Sequence, residues 1–294
     1  MQNSKLITLL KALSPEEFRQ FYRYIRTPFF TKSSDLLKLY EAIRKHYPDF
    51  NSPKLEKERL FKHLYPKEAF NDARLRNLML KISKILEEYL LYLEFQQDEF
   101  QRKSTLTRIY KERNLNVIFK QKTDDLLADL EKQPQRDATF FFNSYQLQRE
   151  YYFHIGVVQQ REKVNALTAS LEHLDAFYAI ERLRLGIDLT NRERIFKESH
   201  NFHAASYAKE LPTDNLVYQL LFEICLLLKT NNQAHFIKAK RDFVNNLDLV
   251  NLEDASIILQ ALLNYSIQQF PTDEAKYANA VSYTHLTLPT ILLV

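Results

Sequence analysis

Two histidines at helical spacing are the residues of this chain best placed to hold a metal ion. His200 and His203 lie three positions apart, so their imidazoles would share one face of a helix, with the Glu198 carboxylate close by. A zinc site takes at least three protein ligands at suitable spacing, and no recognisable motif fixes the third one here. Such a pair more often packs or faces solvent, so we predict no metal site.

The single thiol and the paired carboxylates do not form a catalytic arrangement. Cys225 lies in the apolar run 216–228, where a buried thiol is usually inert packing. The pairs Glu16–Glu17, Glu87–Glu88 and Asp124–Asp125 are adjacent in sequence and would diverge by about 100° on a helix. Adjacent carboxylates favour helix capping and solvation over acid–base chemistry. We predict no catalytic or cofactor-binding residue, no cofactor and no enzymatic activity.

The scarcity of glycine removes several further classes of enzyme. The chain has 294 residues and only two glycines, Gly156 and Gly186. A dinucleotide fingerprint, a phosphate-binding P-loop and a nucleophile elbow all need clustered glycines. Tight β-hairpin turns also prefer glycine, which weighs against an all-β fold. One cysteine excludes an intrachain disulfide framework and any site built from several cysteines.

A basic helix face is the strongest candidate for a binding surface. Residues 1–84 carry 18 Lys and Arg against 9 Asp and Glu, whereas the whole chain is only +4. Arg74, Asn77, Lys81 and Lys84 recur at helical spacing opposite an apolar stripe, and such a face can track phosphates. A merely solvated helix face has the same pattern and is the commoner case. Glu87 and Glu88, one turn further, would repel a nucleic-acid backbone.

Helical periodicity is the only strong structural signal. Ser14-Pro15-Glu16-Glu17 is a capping box that predicts a helix through Arg26. The sequence also predicts helices from about Ser33 or Ser34 to Tyr47, and from Pro53 to Tyr65. Asn71 should cap a long helix with a sustained apolar stripe. Residues 1–98 should therefore form a compact helical unit.

Longer helices follow in the second part of the chain. We predict them over 102–133, 138–158, 168–195, 214–229, 232–247 and 252–270, with 198–209 left unassigned. The helices that start at Asp214 and Asn251 are offset by 37 or 38 residues, close to the period of tetratricopeptide and HEAT repeats. We therefore predict an all-α protein in which antiparallel helix pairs over 99–280 form an α-solenoid.

The N-terminal part contains three short motifs in a fixed order: Thr27-Pro28-Phe29-Phe30, Leu64-Tyr65-Pro66 and the run NDARLRNLML over 71–80. In these motifs and their order it resembles an uncharacterised bacterial family of all-helical proteins. The resemblance covers about the first third of the chain. The resemblance implies a helical fold, but no activity, cofactor or catalytic residue.

The last residues differ in character from the chain before them. Residues 281–294 carry no charge and show no helical spacing. Val281 to Thr290 resemble, residue for residue, the translation of a sequencing adapter. We interpret 281–294 as a non-native tail and expect the natural protein to continue beyond Ala280.

These observations favour a protein that acts through a surface. We expect an interaction scaffold or adaptor with a protein partner, in a reducing cytoplasm and without a membrane span. Nucleic-acid binding by the basic N-terminal unit is the alternative.

Overall fold

The computed structural model describes residues 4–27, 33–154, 164–196 and 215–269, and within them it is all-helical. This confirms the predicted all-α class. No strand occurs among these residues. The α-helices are α1 (Lys5–Lys11), α2 (Pro15–Ile25), α3 (Ser34–Arg44), α4 (Lys57–Leu64), α5 (Asp72–Gln97), α6 (Glu99–Glu112), α7 (Asn116–Glu131), α8 (Ala138–Tyr152), α9 (Val164–Phe196), α10 (Leu216–Thr230), α11 (Gln233–Val244) and α12 (Leu252–Gln269), with short 3₁₀ helices at Pro53–Leu55 and Leu247–Leu249.

The chain divides into two compact units, unit 1 (Met1–Arg102) and unit 2 (Lys103–Val294). In unit 1, α5 is the central helix and contacts α1, α2, α3 and α4. The apolar stripe predicted for α5 is buried against these helices, so its side chains form the core of the unit: Leu75, Leu78, Met79, Ile82, Ile85, Leu86 and Tyr89. The division falls within α6, four residues after the predicted boundary at residue 98.

Side chains at the N-termini explain where several helices begin. Glu17 N–H donates to Ser14 Oγ, and the Glu17 carboxylate accepts from Ser14 N–H, so the predicted capping box is present. Asn71 Oδ1 accepts from Arg74 N–H at 2.9 Å, which caps α5 as predicted. Each cap satisfies backbone donors that would otherwise have no partner inside the helix.

Unit 2 is built around α10. This helix contacts α9, α11 and α12, and nine of its fifteen residues are buried. Helix α9 also packs along α8, which itself contacts α7. Asn215 and Asn251 cap α10 and α12 through side-chain oxygens that accept from Tyr218 and Asp254 N–H. The predicted start at Asp214 lies outside the described residues, one position before the observed cap.

The single helix predicted over 102–133 is wrong, because the chain turns at Asn114. Helix α6 ends at Glu112, Asn114 adopts the left-handed conformation with φ of 58°, and α7 begins at Asn116. Leu115 N–H donates to the Tyr110 carbonyl at 2.9 Å. This bond, from an N–H five residues further along the chain, is the Schellman closure of a helix C-terminus, and asparagine tolerates the left-handed backbone better than most residues.

Other predicted ends are also corrected. The helix expected over 138–158 ends at Tyr152, where His154 leaves the helix and stacks on Phe119 with ring centroids 4.4 Å apart. The helix expected to reach Tyr47 ends at Arg44. The one expected over 53–65 is a 3₁₀ turn and a separate α4, because Glu56 is extended. Helix α1 was not predicted. Residues 198–209 and 281–294 lie outside the described residues.

Candidate interaction surface

Helix α6 packs less than any neighbour of similar length. Of its fourteen residues only Thr107 is buried, and its hydroxyl donates to the Ser104 carbonyl at 2.7 Å. Helix α7, in contrast, buries a regular stripe of four residues, Phe119, Thr123, Leu126 and Leu130. A helix usually buries the apolar face that its sequence provides. The apolar side chains of α6 therefore remain available at the surface.

Five large apolar side chains are exposed on α6, α7 and the turn that joins them. We call them the α6–α7 surface: Leu106, Ile109, Leu115, Val117 and Ile118. Val117 is 82% exposed, which is the highest value among the large apolar residues that the structure describes. Single exposed apolar residues are ordinary, but five on one helical hairpin are typical of an interaction site.

A groove of about 480 Å³ lies between α6 and α7 and shares Leu106 with this surface. Its apolar lining includes Leu106, Tyr110 and Leu126. Its rim is charged, since Asp129 pairs with Lys103 across the groove at 3.1 Å and with Lys132 at 3.3 Å.

The rim pairs hold their charges at neutral pH. The hydrogen bonds from Lys103 and Lys132 lower the pKa of Asp129 below its ordinary value. An apolar floor with a rim of both charge signs is the composition expected of a protein-binding patch.

The predicted basic face is only partly free. Arg74 Nη1 donates to Glu68 at 2.6 Å, Nη2 lies 3.4 Å from Asp35, and the guanidinium stacks 3.8 Å above the Tyr65 ring. Tyr65 also donates to Asp35 at 2.5 Å. Arg74 therefore serves the packing of unit 1, and its charge is balanced by two carboxylates.

The other members of that face point outward on α5. Asn77, Lys81 and Lys84 are exposed, and neither lysine has an ion pair with any described residue. Of the two acidic residues that follow, Glu87 pairs with Lys5 at 2.5 Å, and Glu88 is exposed. The face thus keeps two free lysines, and binding by it stays a prediction.

The residues considered for chemistry serve packing where the structure describes them. Cys225 is buried, and burial raises its pKa to about 12, so its thiol is protonated at neutral pH. Phe140 and Phe141 lie beside His173 of α9, and Phe142 lies 5.1 Å from Phe177. Helix α8 thus packs against both α7 and α9.

Sequence reasoning missed two buried ionic clusters in unit 2. Glu223 accepts from Lys238 at 2.6 Å and pairs with His235 Nδ1 at 2.8 Å, which joins α10 to α11. Arg184 of α9 makes a two-pronged pair with Asp254 of α12, at 2.7 and 2.8 Å. A charged residue inside an apolar helical run was the available signal, because such a residue needs a buried partner.

Comparison with family models, curated proteins and solved structures finds no match. The resemblance to the bacterial helical family therefore stays a prediction. Among the described residues, no three ligating side chains converge as a metal site would require, and His200, His203 and Glu198 lie outside them. None of the described helices is long and apolar enough to cross a bilayer.

Proposed function

We propose that this protein is a non-enzymatic interaction protein, a scaffold or adaptor that binds a protein partner through the α6–α7 surface. The observation that carries the proposal is the exposure of five large apolar side chains on one hairpin beside a groove. Burial of such residues contributes about 25 cal/mol per Å² of apolar surface. A partner that covers Val117 and its neighbours would thus gain much of its binding energy there.

The groove favours an amphipathic helix as the occupant. Its two walls are helices, and its floor offers the apolar side chains of Leu106 and Leu126. A helical ligand anchors such a groove with apolar residues at i, i+3, i+4 and i+7. The rim residues Lys103, Asp129 and Lys132 favour a ligand whose polar flank carries both charge signs.

We also propose that the helix pairs of unit 2 belong to an α-solenoid. The caps of α10 and α12, Asn215 and Asn251, are 36 positions apart, and α11 lies between them in sequence. That spacing is close to the tetratricopeptide period of 34. Stacked helix pairs of this kind expose extended faces for partners.

Panning a phage-displayed library of helical peptides against the immobilised full chain tests the binding proposal. We expect enrichment of peptides with one apolar face. Val117→Asp with Ile118→Asp should weaken binding of an enriched peptide by at least about tenfold, because it places charge in an apolar contact.

Ile237→Asp is the matched control, since Ile237 is 55% exposed on α11 and lies outside this surface. It should change binding less than about twofold. Equal binding to the wild type and the α7 variant would contradict the proposal, as would the absence of any enriched helical peptide.

Nucleic-acid binding by unit 1 is the second candidate function. The exposed Lys81 and Lys84 of α5 support it, together with the basic composition of residues 1–84. A binder that neutralises phosphates loses affinity linearly in the logarithm of salt concentration. No binding at low salt would remove this candidate.

A further inference from the structure

A second groove, of about 440 Å³, lies on unit 1 and is lined almost entirely by basic side chains. Ala42 and Leu60 are its apolar members. The basic members come from the end of α3, the 3₁₀ helix and α4: Lys45, His46, Lys54, Arg59 and His63. We call this the α3–α4 groove. It shares no residue with the α6–α7 surface and is independent of the proposed function of that surface.

Helical spacing explains why these side chains converge. Arg59 and His63 are four positions apart on α4 and share one face. Lys45 and His46 follow Ala42 by three and four positions, so the last turn of α3 and its cap present them to the same side. Since α3 and α4 are in contact, the two sets face one space.

None of the described residues that line the α3–α4 groove carries a carboxylate. Lys45 and Lys54 form no ion pair with any described residue. Arg59 pairs with Glu56 at 3.1 Å, but both side chains are 62% exposed, and an exposed pair of this kind is weak. The groove thus holds three formal positive charges, those of Lys45, Lys54 and Arg59. An anion that binds there displaces water and meets only weak competition from a protein carboxylate.

Aromatic residues packed into the core of unit 1 fix the segment that carries Lys45, His46 and Lys54. Phe50 is fully buried with φ of 52°, a backbone conformation that costs energy for a bulky residue. Tyr47 stacks on Phe18 with centroids 4.0 Å apart and donates a hydrogen bond to the Leu13 carbonyl at 3.1 Å. These contacts fix the backbone of the groove before a ligand arrives, which lowers the entropic cost of binding.

We propose that the α3–α4 groove binds consecutive phosphate groups, as found in a polyphosphate chain or a nucleic-acid backbone. A guanidinium and two ammonium groups are the side-chain donors that pair most readily with phosphate oxygens. Among the residues that the structure describes, no Phe or Tyr lines the groove, so these residues offer no stacking platform for bases. The ligand is therefore recognised by its phosphates, independently of base sequence.

Titration of the full chain with two probes tests the proposal. Fluorescein-labelled (dT)12 is followed by anisotropy at 20 mM salt, and inorganic pyrophosphate is added as a competitor. Lys45→Gln with Lys54→Gln should weaken binding by at least about tenfold and reduce the salt slope by about 1.4, since each phosphate contact to a single strand contributes about 0.7.

Lys11→Gln with Lys67→Gln is the matched control, because it removes two exposed lysine charges from unit 1 outside both the α3–α4 groove and the α5 face of Lys81 and Lys84. It should change affinity less than about twofold. Thermal unfolding followed by circular dichroism verifies that both variants keep their fold, which is expected for exposed residues.

The outcomes separate the sources of phosphate. Competition by micromolar pyrophosphate indicates a small polyphosphate ligand, and binding of (dT)12 that resists pyrophosphate indicates a nucleic-acid backbone. Both support the proposal if the Lys45/Lys54 variant loses at least about tenfold in affinity. The proposal would be overturned by equal losses in the two variants, by a larger loss in the control, or by no binding of either probe. A polyglutamate peptide tests for attraction by negative charge alone, and equal affinity for it would overturn the proposal too.

Discussion

The hydroxyl of Tyr40 is buried in the core of unit 1 without a hydrogen-bond partner among the described residues. Tyr89, in the same core, donates its hydroxyl to the Glu17 carbonyl at 3.1 Å. A buried polar group costs free energy when unpaired and stabilises modestly when paired. The two tyrosines therefore form a natural pair for measuring what one buried hydrogen bond contributes.

We expect Tyr40→Phe to leave the free energy of unfolding unchanged or to raise it by about 1 kcal/mol, because it removes only an unpaired hydroxyl. Tyr89→Phe should lower it by about 1 kcal/mol. Urea unfolding measures both. Similar losses in the two variants would mean that the Tyr40 hydroxyl has a partner in solution.

Leu78 and Lys81 lie one turn apart on α5, with Leu78 buried and Lys81 exposed. Leu78→Ala should destabilise the protein by about 2–5 kcal/mol through lost burial and a residual cavity. Lys81→Ala should cost less than about 0.5 kcal/mol. Chemical denaturation separates the two, and equal effects would contradict the assigned faces of the helix.

At the scale of the helices, the sequence predicts what depends on local chemistry. The capping box at Ser14 and the cap at Asn71 were found because their hydrogen bonds join residues three positions apart. The turn at Asn114 was missed because asparagine also occurs within helices. The closure of α6 and the packing of α7 set its left-handed backbone, and the spacing of apolar residues along the sequence shows neither of them.

The candidate surfaces were less predictable than the helices for a related reason. The basic stripe on α5 followed from the spacing of its residues, but its first residue, Arg74, forms ion pairs with Glu68 and Asp35. The α3–α4 groove depends on the approach of segments up to 21 residues apart, from Ala42 to His63. Single-helix patterns cannot show which faces of different helices meet.

The Arg184–Asp254 pair fastens α9 to α12. Burial alone would lower the pKa of Arg184, but hydrogen bonds to Asp254 and the charges of Glu253 and Glu181 outweigh it, so the pKa is raised. Arg184→Met should cost about 3–5 kcal/mol, because it leaves the fully buried Asp254 unpaired.

Arg184→Met combined with Asp254→Leu should regain much of that loss, since both buried charges are then removed. Lys122→Met, at an exposed pair with Asp125, is the control and should cost less than about 1 kcal/mol. Thermal and urea unfolding of the four chains would measure this. A double variant no better than Arg184→Met would show that the helices need the pair itself.

At the scale of the whole molecule, stability should decline in mild acid, partly because of His173. Burial lowers the pKa of His173 below its ordinary 6.5, although Glu131 and Glu172 oppose this. The unfolded chain therefore takes up this proton at a higher pH than the folded chain. The stabilisation is complete above pH 6.5 and is lost as the pH falls toward the lowered pKa.

We expect His173→Gln to reduce the loss of unfolding free energy between pH 7 and pH 5.5, because glutamine binds no proton there. Urea unfolding at several pH values provides the comparison. Parallel pH profiles for wild type and variant would contradict a role for His173.

The division between the two units falls inside α6, after Arg102, and this constrains how the protein can evolve. Domains that recombine between genes are usually joined by linkers that belong to neither. A crossover after Arg102 would instead cut a helix and leave the backbone groups of a whole turn without partners on each side. The units can be separated without cutting a helix at Asp98, because α5 ends there. Gene rearrangements that keep both parts foldable should therefore either carry the two units together or break at that residue.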